Sequence, residues 1–147
     1  SYEELVERCD AVAAASIRTR EGLRDTEQRI ADLALLGKQI DTYRKLKPVY
    51  DRYKASKDKE KFLRGFESEI ILFEAAAREI KKAGLPRLPS SEKLKAELDG
   101  LAACKIALQE ELRKIKLEET EFDTIRQNID MLSESEPFRH IPRDLDR

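Results

Sequence analysis

Apolar residues recur at intervals of seven along most of this chain. One column takes Tyr2, Cys9, Ser16, Leu23, Ile30 and Gly37, and a second, three positions on, takes Leu5, Val12, Thr19, Thr26, Leu33 and Ile40. Paired columns of this spacing predict a helix with a narrow apolar seam, softer where Ser16, Thr19 and Thr26 stand. Ser1 with Glu4 three residues later forms a capping box that starts it. Beyond Ile40 the pattern slips to Tyr43, Leu46, Tyr50 and Tyr53. Pro48 lacks an N–H and disfavours helical angles at Lys47, so a kink or break is expected near residue 47.

A second helix is expected from about Lys59 to Ala83, with Phe62, Phe66, Ile70, Phe73, Ala77 and Ile80 on one face. Gly84 supplies a left-handed stop and Pro86 prevents continuation. A third helix, capped by Ser90 or Ser91, carries Leu94, Leu101, Leu108, Ile115, Phe122 and Ile129 at an unbroken interval of seven, and should end near Ser133. Shifting the chain by 89 residues matches the first and third helices at twelve of forty-three positions. Equal helix length is the safer inference from that match, with an ancient duplication as the bolder one.

These elements predict an all-α fold: a long antiparallel helical hairpin, its coiled-coil stem made of helices at about 1–47 and 90–133, with a helical head at about 48–89. As a domain this is residues 1–132, stem 1–41 and 90–132 and head 42–89, followed by a tail at 133–147. Positions whose numbers sum to about 133 should face each other. An up-down-up bundle is the competitor, and it would leave long stretches of the first and third helices to be covered by a dimer. The stem therefore favours a monomer over a homodimer.

Composition agrees with long helices: 40% of the 147 residues are charged, and there are only five glycines and five prolines. No apolar run reaches membrane-spanning length and no basic-then-apolar leader is present, so no membrane partner is expected. Cys9 and Cys104 lack any CxxC spacing and read as reduced, packed thiols, too far apart in the hairpin to be bridged, of a cytoplasmic protein. A chain that opens on Ser1 rather than Met reads as a piece of something larger.

Charge is unevenly spread. From Thr42 to Arg64 nine basic residues stand against three acidic ones, a local net of +6, which leaves −7 for the remainder because the whole chain is −1. Three of the four tyrosines, Tyr43, Tyr50 and Tyr53, lie in the same stretch. Interleaved cations and aromatics suit a phosphate-rich partner: Lys and Arg release condensed counterions and phenol rings stack on bases. The candidate nucleic-acid contacts are Arg44, Lys45, Lys47, Arg52, Lys54 and Lys57, with Tyr43, Tyr50 and Tyr53. The plainer reading is a solvated charged face with the tyrosines packing the head. No base or metal-ligand set accompanies the tyrosines, His140 is a lone histidine in the tail, and carboxylate pairs such as Glu110-Glu111 lie beside lysines. No catalytic residue, cofactor or metal is assigned.

The block Asp41-Thr-Tyr-Arg-Lys-Leu-Lys-Pro-Val-Tyr-Asp-Arg-Tyr and the following Lys59-Glu-Lys-Phe-Leu-Arg-Gly-Phe-Glu-Ser-Glu-Ile-Ile-Leu-Phe-Glu-Ala-Ala resemble the C-terminal helical region of relaxases, the mobilisation nucleases of Gram-positive conjugative and mobilisable elements. Ser1-Tyr-Glu-Glu-Leu and Arg126-Gln-Asn-Ile-Asp look like the same family, so the resemblance spans roughly residues 1 to 132. It implies a parent enzyme that nicks one DNA strand at a transfer origin through a tyrosine, with a histidine-held metal. None of that machinery maps onto this chain. The expectation is a non-catalytic accessory domain acting in conjugative plasmid or element mobilisation, contacting transfer-origin DNA or other proteins of the transfer complex. The alternative is a coiled-coil interaction or dimerisation scaffold with no nucleic-acid binding.

Overall fold

A computed structural model describes residues 1–135, and these form three α-helices and no strand: α1 (Tyr2–Ala55), α2 (Lys59–Lys82) and α3 (Ser91–Ser135). Expectations that fall on the tail beyond, His140 among them, lie outside the described residues. By its contacts the chain divides into two compact units, one of Ser1–Arg24 with the chain from Ile106 onward, the other of Asp25–Lys105. α1 and α3 each contribute a segment to both.

Local chemistry sets the helix ends. The Glu4 amide donates to Ser1 Oγ at 3.3 Å while the Ser1 amino group donates back to the Glu4 carboxylate at 3.4 Å, the reciprocal capping box. Ser90, not Ser91, caps α3, its Oγ accepting from the Lys93 amide at 3.1 Å. Asp58 caps α2 by accepting from the Lys61 amide at 3.1 Å, a cap the periodicity did not single out. Gly84, at φ 66°, ends α2 in the left-handed region as expected.

One boundary is corrected. α1 does not break near residue 47 but continues through Pro48 to Ala55, 54 residues in all. The reason is geometric. Pro48 is exposed on the outer side of the helix, opposite the face that carries Leu46, Val49, Tyr50 and Tyr53. The Arg44 carbonyl that loses its amide partner therefore faces water, and burial of the inner face holds the helix together across the gap. The real irregularity lies in α2, at Phe66 (φ −134°, ψ 26°), next to Gly65, a poor helix former.

In the unit built from Asp25–Lys105, Leu33, Ile40 and Leu94 form a buried cluster over which Leu36, Ile80, Leu88, Leu98 and Leu101 pack. Ile70, Phe73 and Ala76 are buried along α2. The α1 and α3 segments run antiparallel: Gly37 faces Leu94, and Glu27 pairs with Lys105 at 4.0 Å. Arg44 donates to the Pro89 carbonyl at 2.6 Å, tying α1 to the chain just before α3.

The other unit is a simpler antiparallel pair in which Gly22 faces Leu108 and the Arg8 guanidinium lies 5.6 Å from the Phe122 ring centroid. These pairs sum to 130, close to the expected 133. Its buried residues are Leu112 and Ile115 together with Ser16 and Thr19, so the soft part of the seam is inside. Ser16 Oγ accepts from Arg20 Nε at 3.1 Å. Glu119, seven residues after Leu112, has one carboxylate oxygen enclosed without a hydrogen-bond partner. At the surface, hydrogen bonds from Arg113 hold the Glu110 carboxyl below its usual range. That pair is solvent-exposed and contributes little to stability.

Both cysteines are free; Cys9 is half-buried on the first column, whereas Cys104 is exposed rather than packed, because it stands off the face defined by Leu101 and Leu108. Among the described residues no helix is long and apolar enough to cross a membrane.

Replacing Pro48 by Ala restores the missing N–H on a solvent-facing turn and should raise the unfolding free energy by about 1–3 kcal/mol, the cost of proline inside a helix less its restriction of the unfolded chain. Urea denaturation monitored by circular dichroism measures this. An unchanged or lower midpoint would show that α1 needs the proline.

Candidate nucleic-acid interface

The cationic stretch coincides with the last turns of α1, the connection Ser56–Asp58 and the first turns of α2. Tyr43 and Tyr50 are one heptad apart and Tyr53 lies one turn further, so helical geometry puts all three rings toward α2. There they meet phenylalanines. Tyr43 stacks on Phe73 at 4.8 Å between ring centroids, and Tyr50 stacks on the same ring at 4.3 Å. Tyr50 meets Tyr53 at 6.0 Å, Tyr53 meets Phe62 at 6.1 Å, and Phe62 stacks on Phe66 at 4.8 Å. Six rings thus form one continuous ladder between α1 and α2. Stacked and tilted pairs of this kind add roughly 0.5–1.5 kcal/mol each beyond their buried area.

The ladder also recruits cations. The Arg52 guanidinium lies 5.5 Å from the Phe62 centroid and 5.6 Å from that of Phe66, and Lys54 Nζ lies 5.4 Å from the Tyr50 centroid. Lys47 donates to both carboxylate oxygens of Asp51 at 3.1 Å, one turn along the same helix. Arg44 is held by the Pro89 carbonyl.

The nine candidates of the sequence therefore fall into three groups. Tyr43, Tyr50 and Tyr53 are brought together, half-buried, as packing. Arg44, Lys47, Arg52 and Lys54 are exposed but each is engaged by a neighbour. Lys45 and Lys57 are exposed and have no ion-pair or ring partner among the described residues. Lys59, Lys61 and Arg64 share that condition and were counted in the local charge without being assigned a role. The signal that could have found them is the N-cap: Asp58 fixes the start of α2, so only a three-residue connection separates these side chains from the end of α1. Asp58 accepts a backbone hydrogen bond as that cap.

Among the described residues, no three of His, Cys, Asp and Glu converge to hold a metal ion. A cavity of about 740 Å³ between α1, the α2–α3 connection and the start of α3 is lined by Leu33, Leu36, Leu85, Leu88 and Leu94 together with charged residues of both signs, among them Arg29, Asp32 and Glu97. Comparison with family models, curated proteins and solved structures finds no match for this chain.

Phe73 contacts two of the three tyrosines and is 5% exposed, so Phe73→Ala should cost about 3–5 kcal/mol in urea unfolding. Tyr50→Phe keeps the ring and should change stability by less than about 0.5 kcal/mol. Equal losses in the two variants would mean that the hydroxyl, not the stacked ring, holds α2 against α1.

Proposed function

We propose that this chain is the non-catalytic accessory domain of a DNA relaxase acting in conjugative mobilisation, and that it contacts DNA through phosphates without reading base sequence. The observation that supports this reading most directly is the exposed cationic surface where α1 meets α2, on a chain whose remaining residues are net acidic. Neutralising phosphates with Lys and Arg gains free energy by counterion release and specifies no base. The resemblance of residues 41–53 and 59–76 to relaxase C-terminal regions supplies the biological context. In this reading strand cleavage is left to another part of the parent enzyme.

A second reading has its own observation. Ile71 and Leu72, adjacent on α2, are 57% and 55% exposed, and such side chains suit a protein partner of the transfer complex or a second copy of the chain. Sedimentation equilibrium separates the two: a monomer leaves the nucleic-acid reading in place, whereas a tight dimer that loses affinity on Ile71→Ser favours the scaffold.

Binding to a duplex of arbitrary sequence should be measurable by gel shift at about 50 mM salt and should weaken steeply with added salt, with a log–log slope of about −0.9 per phosphate contacted. Scrambling the duplex sequence should leave the affinity within about threefold. Absence of any shift at the lower salt removes the DNA-binding function.

A further inference from the structure

We infer that the phosphate contact, which rests on the DNA-binding reading above, is made by the α1–α2 turn through Lys57, Lys59, Lys61 and Arg64, and that its ligand is the backbone of duplex rather than single-stranded DNA. The location follows from how the positive charge is used. Of the nine cations between Thr42 and Arg64, Arg44 donates to the Pro89 carbonyl, Lys47 pairs with Asp51, Arg52 covers two phenylalanine rings and Lys54 lies over Tyr50. A phosphate at any of these four would have to share the cation with a partner already in place. The five left are exposed without partners among the described residues, and all but Lys45 fall between Lys57 and Arg64. Acidic competition there is small, because Asp58 accepts the Lys61 amide as helix cap, leaving Glu60 as the one uncommitted carboxylate of that segment.

The choice of duplex follows from the rings. Proteins that hold single strands without sequence preference offer open aromatic faces on which successive bases stack, worth about 1–3 kcal/mol per base. Here Tyr43 and Tyr50 stack on Phe73, Tyr50 also lies beneath Lys54, and Tyr53 leans on Phe62. With the rings occupied, the remaining attraction is to phosphate density. A duplex presents one charge per roughly 1.7 Å of axis, twice the density of either strand.

The test uses the whole chain and fluorescence anisotropy with a duplex of about 30 base pairs and one of its strands alone. The quadruple variant Lys57→Ala, Lys59→Ala, Lys61→Ala, Arg64→Ala is compared with Lys38→Ala, Lys95→Ala, Lys114→Ala, Lys116→Ala, which removes the same charge from exposed sites elsewhere. At about 100 mM salt the first set should lose at least tenfold in duplex affinity and flatten the salt slope by about 3, while the second loses less than about threefold. The wild type should prefer duplex to single strand by about fivefold or more. Lysine acetylation mapped on the unmodified protein gives a reading independent of variant folding: duplex should protect Lys57, Lys59 and Lys61 but not Lys38. If the wild type binds yet both quadruple variants lose equally, or the turn lysines stay unprotected, this location is wrong while DNA binding stands. Tighter binding of the single strand overturns the choice of duplex. No binding by the wild type removes the DNA reading itself, and this inference with it.

Discussion

Everything in this protein depends on narrow apolar stripes of long, highly charged helices being covered by a second helix. With 40% of its residues charged the chain cannot build a broad core, and among the described residues only eight hydrophobic side chains are buried. Each such aliphatic or aromatic side chain contributes about 1.5–3 kcal/mol when fully removed from water. A single exposed helix would gain none of this, so in each unit the α1 segment lies antiparallel to the α3 segment and the heptad column of one closes over that of the other.

The two units spend that stripe differently. Asp25–Lys105 adds α2 as a third helix and buries six of the hydrophobic residues, Ile40 and Ile70 completely. The unit of Ser1–Arg24 and the chain from Ile106 buries Ser16 and Thr19 beside Leu112 and Ile115, and encloses a carboxylate oxygen of Glu119 without a partner. Hydroxyls and an unpaired carboxylate oxygen weaken a seam that aliphatics would strengthen, so local opening should concentrate in this second unit. Around the α1–α2 turn the same economy applies to charge. Aromatic packing holds the helices together and engages Arg52 and Lys54, so that most of the exposed cations without a partner among the described residues lie in and just after the turn.

The apolar columns made the helices themselves legible, because periodicity is a property of a single helix and needs no knowledge of its partner; the antiparallel pairing and its approximate register, near a sum of 130, followed from the order and lengths of the elements. All six members of the column Leu94 to Ile129 are at least half-buried, and in α1 both columns hold except at Tyr2, which is exposed at the helix start. The second face of α3 was not legible. It is built from Leu98, Lys105, Leu112 and Glu119, and alternation of apolar with charged residues hides a column whose lysine pairs with Glu27 and whose glutamate is partly enclosed. Pro48 misled for a related reason: the rule that it breaks a helix is local, whereas its tolerance depends on which side of α1 faces water.

The local cationic excess and the clustered tyrosines are written in the residues, since counting charges and rings requires no coordinates. Which cations remain available is a tertiary matter. Arg44 and Pro89 are 45 residues apart in the chain, and Arg52 reaches Phe62 and Phe66 only because α2 folds back along α1. Sequence by itself determined the helices, their caps and the amount of charge, all set by interactions within a few residues. The tertiary structure decided the continuity of α1, the stacking of the rings and the division between engaged and uncommitted cations, because each of these depends on contacts between segments distant along the chain.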